Sequence, residues 1–545
     1  AEIKGTSAVN TITIKSKSGS YRDVKIVGGR YIAPDVDSNE KVHAGYGVVT
    51  VAGADYFTLD GVTVTSSDVS YPAIVRLKDA SCYVTVRNCY LYTEMSADMS
   101  LIETYSRNIA ADTNDYLVVE NCLLEGANKG MSLGASWVNT PSYEAGACVR
   151  NNTFRNQGAK AIYLQGMKAY SVTGNEFYND RATASYTALD MRRGFEQCVI
   201  ADNIINLATS KDATGIYTEY IKACQEAPES IHNNEINVVC NANAGAYSSF
   251  YGIKVGSKEV STNLNIVYNT VRLTGVYNSS AALFINSSIS NGAVRNNILQ
   301  NEATGHVYRI YSKDYFTGIV FSNNMTYTSG TAFAYAGTAV NDFEAWKVLS
   351  GEKDSYNEQT SFLSETVLEP AQTGNLKNAK PLAFVTTDLN GTVRDEQTPT
   401  IGAYEYGDVS DNTPVLVEGY PSFSNITHEE ATAVLKVDLS GKAFLLVKEK
   451  TAVAPTQEEV LASEQVLQLR KGKEASVVLS SLANQTEYIL YVVLQNLKEV
   501  SSEVIASDVF TTTYTPTAVS TFEKVTAVEG DFEDGTAKFS GFTVE

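Results

Sequence analysis

The chain has 545 residues, with 42 Lys and Arg against 62 Asp and Glu, a formal net charge of −20. This length implies more than one domain, and the acidic balance argues against nucleic acid, whose phosphates require a basic face. Its 33 Tyr, the absence of a sustained 3.6-residue apolar period and the absence of an apolar run of membrane-spanning length point to an all-β chain that does not cross a membrane as a helix.

The first two-thirds is repetitive. VRNCYL (86–91), VENCLL (119–124), VRNNTF (149–154), VTGNEF (172–177), IADNII (200–205), IHNNEI (231–236), IVYNTV (266–271), VRNNIL (294–299) and FSNNMT (321–326) share one pattern. Their fourth residues are Cys89, Cys122, Asn152, Asn175, Asn203, Asn234, Asn269, Asn297 and Asn324, separated by 23 to 35 residues. A period of this size means stacked structural repeats. Earlier runs, VKIVGGRYIA (24–33) and FTLDGVTVTSS (57–67), carry Gly near the same bend, where a left-handed backbone is expected. In a stack of β-coils about 4.8 Å apart, equivalent Asn residues bond one another and satisfy buried amides. Residues 1–407 are therefore predicted to form a right-handed parallel β-helix.

A second strand recurs in each coil. Aligned, LIETYS (101–106), GMSLGAS (130–136), AIYLQGM (161–167), ALDMRRG (188–194), GIYTEYI (215–221), GIKVGS (252–257), ALFINSS (282–288) and YRIYS (308–312) give two outward columns. One is Ser132, Tyr163, Asp190, Tyr217, Lys254, Phe284 and Arg309. The other is Gly134, Gln165, Arg192, Glu219, Gly256, Asn286 and Tyr311. Charges on adjacent coils flanked by aromatic rings suit an oligosaccharide, which stacks C–H faces on rings and hydrogen-bonds through hydroxyls. Tyr163, Gln165, Trp137, Phe284, Asn286 and Tyr311 are the expected substrate-binding residues. Trp137 and Tyr143 lie in an insertion placed to wall the groove, and YIKACQEAPES (220–230) is a second such insertion.

The stretch TDLNGTVRDEQTPTIGAYEYG (387–407) contains Asp388, Gly391 and Arg394, then Pro399, Ile401, Gly402, Ala403 and Glu405. This D-x-x-G-x-x-R … P-x-I-G-A-x-E pattern resembles the ending of many bacterial secreted β-helix proteins of the pectin-lyase-like superfamily. The resemblance covers roughly the first 400 residues and concerns the scaffold. It implies an exported protein, extracellular, periplasmic or at the cell surface; the chain itself opens on the polar AEIKGTSAVN with no signal peptide in view.

Members of that superfamily that cleave uronate glycans by β-elimination need a cation to neutralise the carboxylate, a base for the C5 proton and a proton donor for the leaving oxygen. The expected assignment is Arg192 as neutraliser, Lys254 as base and Tyr217 as acid. Asp190 and Glu219 then position substrate or hold a calcium ion, the one cofactor in view; the other reaction is hydrolysis with Asp190 and Glu219 as acid and base. The paired-Asp and Gly-His-Gly signature of polygalacturonases and the Arg-x-Pro-x-x-Arg run of pectate lyases are absent. The expectation is thus a carbohydrate-active protein acting on or binding an acidic polysaccharide, with a non-catalytic surface glycan-binding or adhesion protein as the alternative. A monomer is expected.

Residues 408–414, GDVSDNTP without its first Gly, read as a linker. Over 415–515 the pattern changes: VLKVDLSGKAFLLVKE alternates as strands do, and Tyr488, behind Leu482 and Thr486, sits where a fibronectin type III sandwich carries its tyrosine corner. Residues 516–545 add two short β-like runs without a clear assignment.

Overall fold

The computed structural model describes residues 6–32, 45–94, 99–105, 112–134, 143–181, 184–209, 211–226, 228–240, 248–256, 259–277, 279–371, 374–406, 412–496 and 498–514. Trp137 and residues 516–545 lie outside the described residues.

The N-terminal unit is a right-handed parallel β-helix. Three long parallel sheets run along it, each taking one strand per coil. Sheet A contains Val118–Glu120, Cys148–Arg150 and Ser171–Thr173, sheet B contains Leu123–Gly126, Thr153–Arg155 and Glu176–Asn179, and sheet C contains Lys129–Gly134, Lys160–Lys168, Tyr186–Phe195, Ala213–Glu219 and Phe250–Gly256. The strands are short and rich in Val, Ile, Leu and Thr, which pack well on a pleated surface. Their inward residues stack on their counterparts in the next coil, as Phe154 does on Phe177 with ring centroids 4.9 Å apart.

The A-to-B bend is set by two adjacent residues with different tasks. Asn88, Asn121, Asn151, Asp202, Asn233, Asn296 and Asn323 have φ between 54° and 59°, in the left-handed region that short polar side chains tolerate. Each next residue, Cys89 through Asn324, turns inward. Left-handed geometry therefore belongs to the residue before the recurring Asn, and Gly61 (φ 64°) holds that place in the coil containing FTLDGV.

The inward residues form a continuous ladder. The amide of Asn152 donates to Asn175 at 3.0 Å, and the same bond links Asn175 to Asn203, Asn203 to Asn234, Asn234 to Asn269, Asn269 to Asn297 and Asn297 to Asn324 at 2.9–3.1 Å. The same amides donate to carbonyls of the preceding coil, such as Val119, Val149 and Val172. Toward the N-terminus the ladder passes to sulfur: Cys122 N–H donates to Asn152 Oδ1 at 2.9 Å, and Cys89 N–H to Cys122 Sγ at 3.4 Å.

All the amides point the same way, so the last rung needs an acceptor. That acceptor is Glu352. Its buried carboxylate takes hydrogen bonds from Asn324 Nδ2 (2.9 Å), Tyr308 Oη (3.1 Å), Ser355 Oγ (2.8 Å) and Trp346 Nε1. FEAWKVLS folds as a short helix, Phe343–Ser350, capped by Asp342 and by left-handed Gly351, and it lays the fully buried Trp346 over the open end of the core.

The segment that follows makes no further coil. It runs back along the outside of sheets A and B. Asn233, Asn296 and Asn323 donate their side-chain amides to Thr387, Lys380 and Asn378 carbonyls. Arg394 is buried over the Tyr268 ring at 3.9 Å and donates to Thr400 O, Gly402 O and Asn233 Oδ1, while Asp388 accepts from the backbone of Asn390, Thr392 and Glu405. The D-x-x-G-x-x-R pattern is thus a self-bonded strap.

The C-terminal module is an antiparallel two-sheet sandwich. Ser422–Ser424, Ala431–Lys436 and Glu474–Leu479 form one sheet; Gly441–Glu449, Val466–Leu469 and Glu487–Gln495, with two short strands, form the other. Tyr488 Oη accepts from Ala483 N at 2.8 Å. The module is fixed to the solenoid by Arg470, which clamps the fully buried Glu235 of sheet B with two bonds of 2.6 Å, beside Tyr404. Strap and module thus attach at sheets A and B.

Glu352→Ala leaves three buried donors, Asn324, Tyr308 and Trp346, and the half-buried Ser355 without their acceptor. We expect a loss of about 2–4 kcal/mol by chemical denaturation, with faster amide exchange concentrated in the coils holding Asn297 and Asn324. Glu352→Gln, which keeps one acceptor oxygen, is expected to lose less.

Candidate functional site: the outer face of sheet C

The pairing register of sheet C reproduces both outward columns. Ser132 pairs with Tyr163, Tyr163 with Asp190, Asp190 with Tyr217, Tyr217 with Lys254, Lys254 with Phe284 and Phe284 with Arg309. Gly134, Gln165, Arg192, Glu219 and Gly256 pair likewise. The proposed catalytic side chains therefore share one face on three successive coils.

Their contacts differ from a simple open row. Asp190 is 1% exposed. Arg192 grips it with Nε–Oδ1 at 2.7 Å and Nη2–Oδ2 at 3.1 Å, and Lys160 Nζ lies 2.5 Å from Oδ2. Arg192 Nη1 is 3.6 Å from Glu219 Oε1, and Tyr217 donates its hydroxyl to the other Glu219 oxygen. The Arg192 guanidinium also sits over the Tyr163 and Tyr217 rings, at 5.6 and 5.2 Å. Burial lowers its proton affinity, but the bonds to Asp190 and the charge of Glu219 reverse this and raise it, so Arg192 stays cationic.

Two expectations change here. Asp190 is not open to solvent, because Lys160 and Arg192 cover it; it holds them in place. Arg192 is not a free neutralising cation, because all three of its nitrogens face carboxylates of the protein itself. The two acids do not fit a calcium ion either: their oxygens already face two cations and a phenol. Among the described residues no group of three or more His, Cys, Asp or Glu is arranged to hold a metal.

The aromatic and amide expectations also sort themselves. The ring of Tyr163 has Lys160 over it at 4.2 Å, and its hydroxyl donates to Gln165, which is 5% exposed rather than an open hydrogen-bonding residue. Burial pushes the Tyr163 phenol up to about 12. Phe284 is buried rather than open for stacking, because Tyr251 covers its ring at 4.6 Å. Asn286 is half-buried, just past the strand Ser280–Ile285, with its backbone N–H on Val255 O; Tyr311 is exposed beyond it and stacks on Tyr315.

Lys254 differs from its neighbours. It makes no ion pair among the described residues, and its ammonium lies over three rings: Tyr217 at 5.2 Å, Tyr251 at 5.4 Å and Phe284 at 5.6 Å. Burial lowers its pKa from the ordinary lysine value; Asp212, Asp190 and Glu219 oppose the shift without cancelling it, and Arg192 adds to it. Tyr217 moves upward, through burial first and then its bond to Glu219, so the phenol keeps its proton.

Sequence reasoning missed Lys160 and Tyr251. Both precede a doubled inward pair, Ala161–Ile162 and Gly252–Ile253, where strict alternation fails. The signal was present: Ala-Ile, Ala-Leu, Gly-Ile, Gly-Ile and Ala-Leu recur at this place on successive coils, small residue first. The space for a side chain is filled there; a Cβ on Gly252 would lie 2.2 Å from Val271. A third column, Lys129, Lys160, Thr187, Thr214, Tyr251, Ala281 and His306, therefore runs beside the other two. Phe195 and Tyr220 were also missed. Tyr143 stacks on Phe195 at 4.0 Å, and Tyr220 meets Phe195 edge-on at 6.3 Å, an aromatic shelf beyond Arg192 built partly by the two expected insertions.

No protein-family model and no curated protein matches the chain. Among solved structures it is similar to the tailspike protein of E. coli bacteriophage HK620. A double mutant in complex with a pentasaccharide aligns over 84% of this chain and 70% of that one, at 10% identity and a TM-score of 0.30. A second tailspike mutant with pentasaccharide aligns over 89% and 86%, at 10% identity and a TM-score of 0.18. A likeness of this size bears on neither ligand nor chemistry.

Asp190→Ala strands two cations, and we expect it to destabilise the protein by about 2–3 kcal/mol in denaturant, below the roughly 3–5 kcal/mol of a fully buried pair because Lys160 and Arg192 stay a quarter exposed. Below the site, Glu229 is fully buried, with Thr218 Oγ1 at 3.5 Å as its side-chain partner, and burial pushes its carboxyl up to about 8. The folded protein then holds a proton that the unfolded chain releases above the ordinary carboxylate range. Stability falls as pH rises through that range to about 8. Thermal melts across this window should show a smaller decline in Glu229→Gln than in the parent.

Proposed function

We propose that the outer face of sheet C binds an anionic polysaccharide along the solenoid axis, with Lys254 as its central anion contact. The observation that carries this reading is the contrast on one face: Asp190, Arg192, Lys160 and Glu219 compensate one another, while Lys254 stands among aromatic rings and makes no ion pair among the described residues. A partly desolvated ammonium gains more from an anionic ligand than a fully hydrated one. The flanking Tyr217 and the aromatic shelf suit sugar rings. We read the sandwich as a fibronectin type III-like spacer, on the Tyr488 bond to Ala483, and the strap as pectin-lyase-like, on the Asp388 and Arg394 pattern.

A second reading, polysaccharide β-elimination, is favoured by the lowered pKa of Lys254 and by the protonated phenol of Tyr217 beside it. Lys254 would take the C5 proton and Tyr217 would protonate the leaving oxygen. Against it stands Arg192, whose charge is already paired with Asp190 and Glu219.

Lys254→Arg separates the two readings, because it keeps the cation and removes the base. A panel of uronic-acid polysaccharides is followed by binding, by ultraviolet absorbance of unsaturated ends and by reducing ends. The binding reading expects retained affinity in Lys254→Arg, affinity reduced about tenfold in Lys254→Gln, and no product from any variant. Elimination expects product from the parent alone, with a rate rising as pH passes the lowered Lys254 pKa. No binding and no product on any acidic polysaccharide overturns both.

A further inference from the structure

Charge along the outward columns of sheet C is uneven. Arg76 pairs with Glu103 at 3.2 Å, and Asp190, Arg192 and Glu219 form the network above. Lys254 and Arg309 have no ion pair among the described residues. They stand in one column, separated by a single residue, Phe284. Both cations lie over that ring, at 5.6 and 5.8 Å, and Arg309 also lies over Tyr335 at 6.0 Å.

A separate observation marks the Arg309 end. A cavity of about 350 Å³ opens there, lined by Ser279, Thr304, His306, Arg309, Thr331 and Tyr335. His306 Nδ1 is buried in its wall without a hydrogen-bond partner among the described residues. Burial, reinforced by Arg309, keeps this imidazole below its ordinary pKa. A neutral ring nitrogen, two threonine hydroxyls and a guanidinium around one hollow are the donors and acceptors that an acidic sugar needs.

Between the two cations the chemistry reverses. Tyr251, Ala281 and Phe284 form a small buried apolar cluster, so the little surface left between the cations is apolar. A carboxylate placed against it would lose water and gain no partner. A neutral sugar with an apolar substituent, such as an acetamido methyl, would lose nothing polar.

We propose that Lys254 and Arg309 are two anion subsites of one groove, spaced for a polysaccharide that presents an acidic group toward the protein on every second sugar and a neutral sugar between. The proposal rests on the anionic-polysaccharide reading of this face and narrows it. Two coils separate the cations, roughly 10 Å at the spacing of neighbouring strands, and an extended disaccharide spans about that length.

The test is titration calorimetry on the full chain with three oligosaccharides: a tetrasaccharide alternating uronate and N-acetylhexosamine, the corresponding disaccharide with one uronate, and a tetrauronate of equal length. The tetrasaccharide is expected to bind about tenfold or more tightly than the disaccharide. Arg309→Gln and Lys254→Gln should each bring it down to the disaccharide level, and Arg309→Lys should recover part of the loss. The tetrauronate should bind no better than the alternating tetrasaccharide, since its extra charges meet no cation. Thermal melts of each variant confirm that folding is intact. If Arg309→Gln leaves affinity unchanged while Lys254→Gln weakens it, the paired-subsite proposal falls and the anionic reading stands with one subsite. Tighter binding of the tetrauronate overturns the neutral middle position. If none of the three binds, the anionic reading itself falls.

Discussion

A buried amide must find partners for its oxygen and both its hydrogens, and this requirement governs the solenoid. In a hydrocarbon core an unpaired donor costs more than the bond itself returns. Asn152 through Asn324 meet the demand only if each coil lies in register over the one before, with its bend at the same height. Loop lengths between coils are then free to vary while the stacking is not. The cysteines extend the scheme: Cys122 Sγ accepts from Cys89 N–H in a place where an amide oxygen accepts elsewhere, and as a compact apolar side chain it leaves fewer groups to satisfy.

That register turns a scattered set of charges into a surface. Asp190, Tyr217 and Lys254 are 27 and 37 positions apart in the chain, and on sheet C they are adjacent. The lower part of the face is electrically closed. Lys160, Arg192, Asp190 and Glu219 consume one another's charge and hold the rings of Tyr163 and Tyr217 in fixed positions. In the upper part Lys254 and Arg309 rest on π-faces and make no ion pair among the described residues. On a chain of net charge −20 such a patch is a local exception to the overall acidic balance.

Much of this was readable beforehand. The Asn period located every coil from Cys89 onward, and counting outward from it put Asp190, Arg192, Tyr217, Glu219 and Lys254 on one face. Alternation supplies only the direction of a side chain at its Cα. It does not say that Lys160 and Arg192 fold over Asp190, or that Tyr251 lies flat on Phe284, because those contacts join residues on different coils through long flexible side chains. The doubled inward pairs such as Ala161–Ile162 broke the two-residue period, so an entire column went unseen. The strap was recognised as a closing element, yet its path back along sheets A and B depends on Asn233, Asn296 and Asn323, whose outward amides carry no distinctive sequence signal.

The ladder has a polarity, and Glu352 terminates it; of the rungs, only Asn324 reaches it. Nothing in that cap senses how many rungs precede it. A whole coil inserted or removed between Cys122 and Asn324 would present the same final amide to the same carboxylate. The length of the outer face of sheet C is therefore a matter of counting: coils added or removed ahead of Asn233 would lengthen or shorten it a strand spacing at a time, with the closing helix and the strap's partners unchanged.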